Sequence, residues 1–212
     1  MEIVVFGATG QVGLQLVKQG LWKGHTVRAF GRNVHELLDL EEAKDKLHLI
    51  KGALFDEGDV LKAVQGCDAV LSAIGGGVDG TDKTRSLGMK NIIKQMGKAG
   101  VKRIVAIGGM GVLQADEEKL LLETPDYPAE YVPVGLEHKA AYEMLAASGL
   151  NWTFVCPPDI KNEAPTGLFH TAADYPPSPN QYRIGAGDLA LFMLNELEQN
   201  AFVQKRVGIS GE

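Results

Sequence analysis

The sequence predicts a doubly wound α/β fold, with a mostly parallel sheet and helices on both of its faces. Three observations predict it: apolar β-rich runs alternate with helical patterns, the runs have no polar side, and a glycine-rich turn joins the first run to the first helix.

The alternation starts at the N-terminus. Strands are predicted at 2–6, 25–30, 47–50, 68–73 and 102–107, with helices near 11–20, 33–39, 59–65 and 84–98 between them. Runs such as Ala69-Val70-Leu71 and Ile104-Val105-Ala106-Ile107 are apolar throughout, as strands covered on both faces must be. That rhythm means parallel strands joined by crossover helices. Gly100 is expected to end the helix over 84–98 as a left-handed cap.

In the second half, a helix near 135–148 precedes a strand from Trp152 to Cys156. A helix near 188–199 is expected to begin at Asp188 as its N-cap, and a strand from Val203 to Ile209 closes the pattern. Two long loops intervene. The first, 108–133, is expected to hold a short helix at 116–122; the second, 157–183, carries six prolines. Both follow the C-terminal ends of predicted strands, where an open α/β sheet places its ligand crevice. Loops of this length in a compact domain usually carry function. No linker divides the chain, so 1–212 is read as one domain whose substrate pocket is formed mainly by loops 108–133 and 157–183.

Composition narrows the function. The 212 residues, 45% of them hydrophobic, suffice for a substantial core. Twenty-one Lys and Arg against 27 Asp and Glu leave a net charge of −6 with no basic run, which argues against nucleic acid as a partner. The chain has no stretch of apolar residues long enough to span a bilayer, and its start lacks the pattern of a secretory signal. A cytoplasmic location, no membrane partner, and a monomer or weak homodimer are the expectation. Cys67 and Cys156 lie far apart, as thiols of a reducing compartment do, and the five histidines form no metal-ligand pattern, so no metal site is expected.

The turn itself reads Gly7-Ala8-Thr9-Gly10-Gln11-Val12-Gly13. One glycine permits the tight turn, one lets a pyrophosphate approach backbone N–H groups, and one allows close packing of helix on strand. The helix N-terminus adds unpaired donors and partial positive charge. Within its strand, turn and helix context this is a dinucleotide-binding motif, with Gly7, Thr9, Gly10, Gln11, Val12 and Gly13 as contacts. An NAD-preferring site places an acid at the end of the second strand; here that strand runs into Gly31-Arg32, and no acid occurs before Glu36. Arg32 is therefore expected to hold a 2′-phosphate, favouring NADP over NAD. Arg28 either assists it or lies along the surface. Leu54 and Phe55 are placed over the adenine, with Ala73, Ile74, Gly75, Gly108 and Pro157 at strand ends along the dinucleotide; packing roles for these residues stay open.

The GATGQVG turn, the Gly31-Arg32 corner, RSLGMKNII from Arg85 to Ile93, AGVKRIV from Ala99 to Val105 and ASGLNWT from Ala147 to Thr153 together resemble the atypical short-chain dehydrogenase/reductases. The Pro157-Pro158-Asp159-Ile160 turn, Pro165-Thr166-Gly167 and Ile184 to Ala190 extend the likeness over nearly the whole chain. Within that group the chain is most similar to the NmrA-like branch and to the biliverdin-IX-beta reductases, also called flavin reductases. The resemblance implies an NAD(P)-binding Rossmann core, with a nicotinamide over the central strand ends and an open pocket for a flat aromatic acceptor. It also exposes departures. Gly109 stands where the flavin reductases carry a serine, Asp159 where they carry a histidine after the double proline, and Ala53 where the branch usually has an acid after the third strand. The Tyr-x-x-x-Lys pair of ordinary short-chain dehydrogenases is not met, because Tyr131 is followed at the fourth position by Gly135 and Tyr142 by Ala146.

Three polar residues remain as catalytic candidates: His138, Tyr142 and Asp159. His138 and Tyr142 are four apart and share a helix face, so a proton donor and a stacking or positioning phenol would lie together, although a helix histidine with no catalytic part fits equally. Asp159 follows a strand end; burial against apolar loop residues would raise its pKa into the range of a general acid, and binding loop N–H groups is the alternative. Met110, Phe169, Tyr175 and Tyr182 are expected to line an acceptor pocket or to staple the loops. Two function classes follow. One is an NADPH-dependent reductase moving hydride to a small flat acceptor such as a flavin or quinone; the other is a non-catalytic NAD(P)-binding sensor of NmrA-like type. Epimerase, lyase or isomerase chemistry with a retained dinucleotide stays open beside them. An open pocket favours the enzyme, and a blocked pocket with an exposed apolar patch the sensor.

Overall fold

The computed structural model describes residues 1–37 and 45–212. Its strands and helices, in chain order, are β1 (Glu2–Phe6), α1 (Gln11–Trp22), β2 (Thr26–Gly31), β3 (Leu47–Lys51), α2 (Glu57–Val64), β4 (Ala69–Ser72), α3 (Thr84–Ala99), β5 (Arg103–Ile107), α4 (Val132–Ala146), β6 (Asn151–Cys156), β7 (Asp159–Lys161), β8 (Phe169–Ala173), β9 (Arg183–Gly185), α5 (Ala186–Gln199) and β10 (Lys205–Gly211). Eight strands form one sheet in the order β3-β2-β1-β4-β5-β6-β10-β8, parallel except for β8, which runs antiparallel to β10 at the edge. This is the doubly wound fold that the alternation of runs and helices predicts.

Strand periodicity divides the core into two layers. Along β1, Ile3 and Val5 enter the layer shared with α1 and α5, whereas Val4 and Phe6 enter the layer shared with α2, α3 and α4. Phe6 meets Phe30 with ring centroids 4.9 Å apart. Each large side chain buried this way contributes about 1.5–3 kcal/mol, so the continuous apolar strands of the sequence hold both layers together. Gly100 ends α3 in the left-handed region, at φ +75°, as expected.

Several expectations need correction. Among the described residues of 33–39, Val34–Leu37 form a 3-10 turn in place of an α-helix, and residues 38 and 39 lie outside those described. Residues 116–119 form a turn, in which the Asp116 carboxylate accepts from the Glu118 and Lys119 amides, and only Leu121–Glu123 makes a 3-10 turn. Loop 157–183 contains β7 and β8 and leads directly into β9, with β7 and β9 pairing as a separate two-stranded sheet. These strands are short and separated by proline-bearing segments, so no local periodicity announces them. Asp188 is not the N-cap of α5; Gly185 is. Asp188 sits within the first turn, buried, and accepts from the Thr166 amide and hydroxyl and from the Gly167 amide, which ties the second long loop to α5. Both cysteines are buried free thiols, and burial pushes Cys67 up to about 11.

Candidate active site

β1 ends at Phe6, and the chain turns at Gly7 with φ +77°. A Cβ at Gly7 would stand 2.4 Å from the Ala73 carbonyl oxygen, and one at Gly13 would stand 1.9 Å from the Gly7 carbonyl oxygen. Only glycine at 13 lets the first turn of α1 lie on the strand end. Gly10, the N-cap, donates to the Gly7 carbonyl at 3.0 Å, and no side chain caps the helix. The first intrahelical bond runs from the Leu14 amide to the Gly10 carbonyl at 2.8 Å, so the amides of Gln11, Val12 and Gly13 have no helical acceptor. Thr9, Gly10 and Gln11 are exposed, whereas the Val12 side chain is in the core and leaves only its amide for a ligand. The first turn carries no carboxylate. Free donors, the positive end of the helix and no competing anion suit a pyrophosphate.

Beside this turn lies a cavity of about 360 Å³ lined by Gly7, Thr9, Gly31, Arg32, Leu54, Phe55, Ile74 and Gly75. Phe6, Phe30, Gly52, Ala53 and Thr84 complete its wall, and none of these was expected as a cofactor contact. Leu54 is fixed from α3: the Asn91 side chain donates to its carbonyl at 2.8 Å, and Gly88 leaves room for its methyl groups. Ala53, in the place of the usual acid, donates its amide to Asp59 at 2.9 Å. Ala73 contributes its carbonyl to the floor under Gly7 rather than a cavity wall. Arg28 does not assist Arg32, because its guanidinium bonds Glu2 and the carbonyls of Ala63 and Gln65.

A second cavity, of about 680 Å³, opens beyond β5 and β6. Residues 109–111 form its floor, Leu121 to Tyr131 and the start of α4 one wall, and Pro157, Pro158, Asp159, Pro176 and Tyr182 the other. Tyr127, Tyr131 and Tyr182 face it, with prolines between them. Of the four residues expected to line it, Met110 and Tyr182 do so. Phe169 instead meets Phe192 edge to face at 6.1 Å on the opposite layer, and Tyr175 is exposed elsewhere. Tyr127 and Tyr131 are the wall tyrosines that the sequence reading did not place there. The Tyr127 hydroxyl lies against Gly111, where a Cβ would approach within 2.5 Å, a contact that no local pattern in the sequence marks.

His138 projects from α4 into this cavity. A Cβ at Gly109 would stand 2.7 Å from its Cδ2 and 3.1 Å from its Nε2, so the imidazole fills the space that a side chain at 109 would take. Burial, and then the Arg85 charge, pushes its pKa down to about 3 against the pull of Glu137. At neutral pH it is an uncharged ring with one N–H to donate. Glu137 faces away from the cavity, toward α3, accepting from Lys83 at 2.9 Å and from the Ser86 hydroxyl at 2.7 Å.

The other two catalytic candidates lie differently. Tyr142 is absent from the cavity wall; its ring packs edge-on against Trp152 at 5.8 Å and against Phe154 at 5.9 Å, with the Arg206 guanidinium 4.9 Å from its centroid. One helical turn from His138 carries it past the cavity and onto the core. Asp159 reaches the cavity wall but is exposed and paired with Lys161 at 2.5 Å, so the burial required of a general acid is missing. Pro157 lines the cavity, whereas Gly108 is covered by the Phe154 ring, 2.2 Å from where its Cβ would be, and lines neither cavity. Among the described residues no cluster of His, Cys, Asp and Glu could hold a metal, and no helix is long and apolar enough to cross a membrane.

Known proteins share this architecture. A solved structure of a Burkholderia pseudomallei protein, provisionally assigned as exported, superposes with a TM-score of 0.83 at 31% identity, covering 99% of each chain. SP1627 from Streptococcus pneumoniae, provisionally assigned as an NADH-flavin reductase, superposes at 0.82 with 28% identity over the whole of both chains. The uncharacterized sugar epimerase YhfK of Bacillus subtilis is 30% identical over 82% of this chain and 79% of its own length. The family model described as NAD(P)H-binding matches residues 7–200, from the first glycine of the turn to the end of α5. The chain belongs to that NAD(P)H-binding family.

Proposed function

We propose that this protein is an NADPH-dependent reductase that delivers hydride to a small, flat, conjugated acceptor such as a flavin or quinone. The observation that carries the reading is the pairing of an open glycine turn with a separate, open cavity walled by tyrosines and prolines at the ends of β5 and β6. In the bound state, reduced nicotinamide supplies the hydride.

The chain's own residues bind and orient. The amides of Gln11 to Gly13 hold the pyrophosphate, and Arg32, exposed beside the nucleotide cavity, takes the 2′-phosphate and sets the preference for NADP. Tyr127, Tyr131 and Tyr182 stack the acceptor ring. His138, held neutral, donates its N–H to an acceptor carbonyl instead of acting as an acid. Burial and the neighbouring Tyr131 raise the pKa of Tyr127, so its phenol also stays a donor. The proton that completes the two-electron reduction comes from water at the open mouth. Orientation of this kind needs no Tyr-x-x-x-Lys pair. The flavin-reductase assignment of SP1627 supports a flat acceptor, whereas the sugar-epimerase name of YhfK does not.

Stopped-flow nicotinamide absorbance with NADPH and then NADH, against flavins and quinones, tests it with Arg32→Ala as control. Rapid NADPH oxidation that the substitution weakens is the expected result. Tight NADPH binding with no turnover on any acceptor would overturn it in favour of a redox sensor.

A further inference from the structure

The acceptor cavity has a one-sided charge. Its lining residues include Asp126 and Asp159 and no lysine or arginine. Asp126 is exposed and has no ion-pair partner among the described residues. The loops that form the mouth extend the imbalance: residues 108–133 carry six acids against Lys119, and residues 157–183 three acids against Lys161 and Arg183. The nearby cations are engaged or lie off the wall. Lys161 bonds Asp159, Lys139 bonds Glu123 at 2.7 Å, and Arg85 donates to the carbonyls of Gly76 and Gly77. Arg183, opposite Asp159 in the β7–β9 pair, is outside the cavity lining. His138 adds no charge at neutral pH.

An anionic group entering here meets the unpaired carboxylate of Asp126, while Asp159 and Lys161 form a pair that is neutral overall and the remaining wall is aromatic and apolar. We infer that the cavity selects uncharged or cationic flat ring systems and rejects their phosphate-, sulfonate- or carboxylate-bearing counterparts. This rests on the reductase reading for the fate of the ligand, but the selection itself is a property of binding. The nucleotide end differs in this respect, since Arg32 and a free helix N-terminus receive anions there. The protein therefore separates its two ligands by charge: the phosphates go to one cavity and the neutral ring to the other.

The test uses ligand pairs that differ only in the anion: riboflavin with FMN, and a naphthoquinone with its sulfonate. Binding is read by quenching of flavin or protein fluorescence, with the protein alone and with NADP⁺ bound. The neutral member is expected to bind about tenfold more tightly at low ionic strength, with the gap closing as salt rises. In the variant Asp126→Asn, which removes the unpaired carboxylate and leaves the Asp159–Lys161 pair in place, the ratio should move toward one. Equal or tighter binding of the anionic member, or no binding of either neutral probe, overturns the selection. Turnover of both members at equal efficiency would also overturn it and leave the reductase reading standing. The binding preference without turnover of any acceptor would do the reverse.

Discussion

The nucleotide end and the acceptor end of this molecule are built on different principles. At the nucleotide end, seven consecutive residues from Gly7 to Gly13 supply the turn and the packing, and the donors offered there are backbone amides. At the acceptor end, residues from 109 to 182 converge from two loops, a helix and a strand pair, and side chains form the wall. A site of the first kind breaks when an atom is added. A site of the second kind shifts by rearrangement of side chains, so its chemistry can change while the fold is kept.

The comparison is tested most severely at Gly13. Gly13→Ala puts a Cβ 1.9 Å from a carbonyl oxygen that cannot move without the strand. NADPH affinity measured by calorimetry should fall by roughly two orders of magnitude, or about 3 kcal/mol, with a lower melting temperature as well. Arg32→Ala comes next. It should weaken NADPH binding by about tenfold or more and leave NADH binding within about twofold, since only the 2′-phosphate contact is lost. A common loss for both nucleotides would remove Arg32 from specificity.

Gly109→Ser probes the other end. The new side chain must displace His138, so kcat/KM for the acceptor should fall about tenfold while the NADPH dissociation constant changes less than about twofold. Equal damage to both would mean that the two ends are not separable.

The smallest effect concerns pH. The folded chain holds His138 neutral down to about 3, whereas the unfolded chain protonates it near 6.5, so acidification through that window favours unfolding. Stability from this group is complete above pH 6.5 and is lost as pH falls toward 3. Thermal melts of His138→Gln should therefore decline less steeply than wild type over that window. Parallel slopes would mean that the imidazole is not held neutral.

These two ends were also unequally legible. The turn could be read because its requirements are local: glycine at 7, 10 and 13 follows from a strand meeting a helix N-terminus. The acceptor wall could not. Nothing in the spacing of Tyr127, His138 and Tyr182 says that they face one space, and Tyr142, sharing a helix face with His138 by count, turns onto Trp152 and Phe154 instead. Asp159 was open to burial as an acid or to binding loop N–H groups, and the structure leaves it in solvent, paired with Lys161.

By itself, then, the sequence determined the alternation of strands and helices, the two-sided core and the dinucleotide turn, because hydrophobic periodicity and glycine stereochemistry act over a few residues. Only the tertiary structure decided the rest: that Gly108 is covered by Phe154, that Asp188 binds a loop rather than capping a helix, and that His138 occupies the space left by Gly109. Those outcomes depend on which long loops come to lie together over the sheet, and that is set by packing between residues distant in the chain.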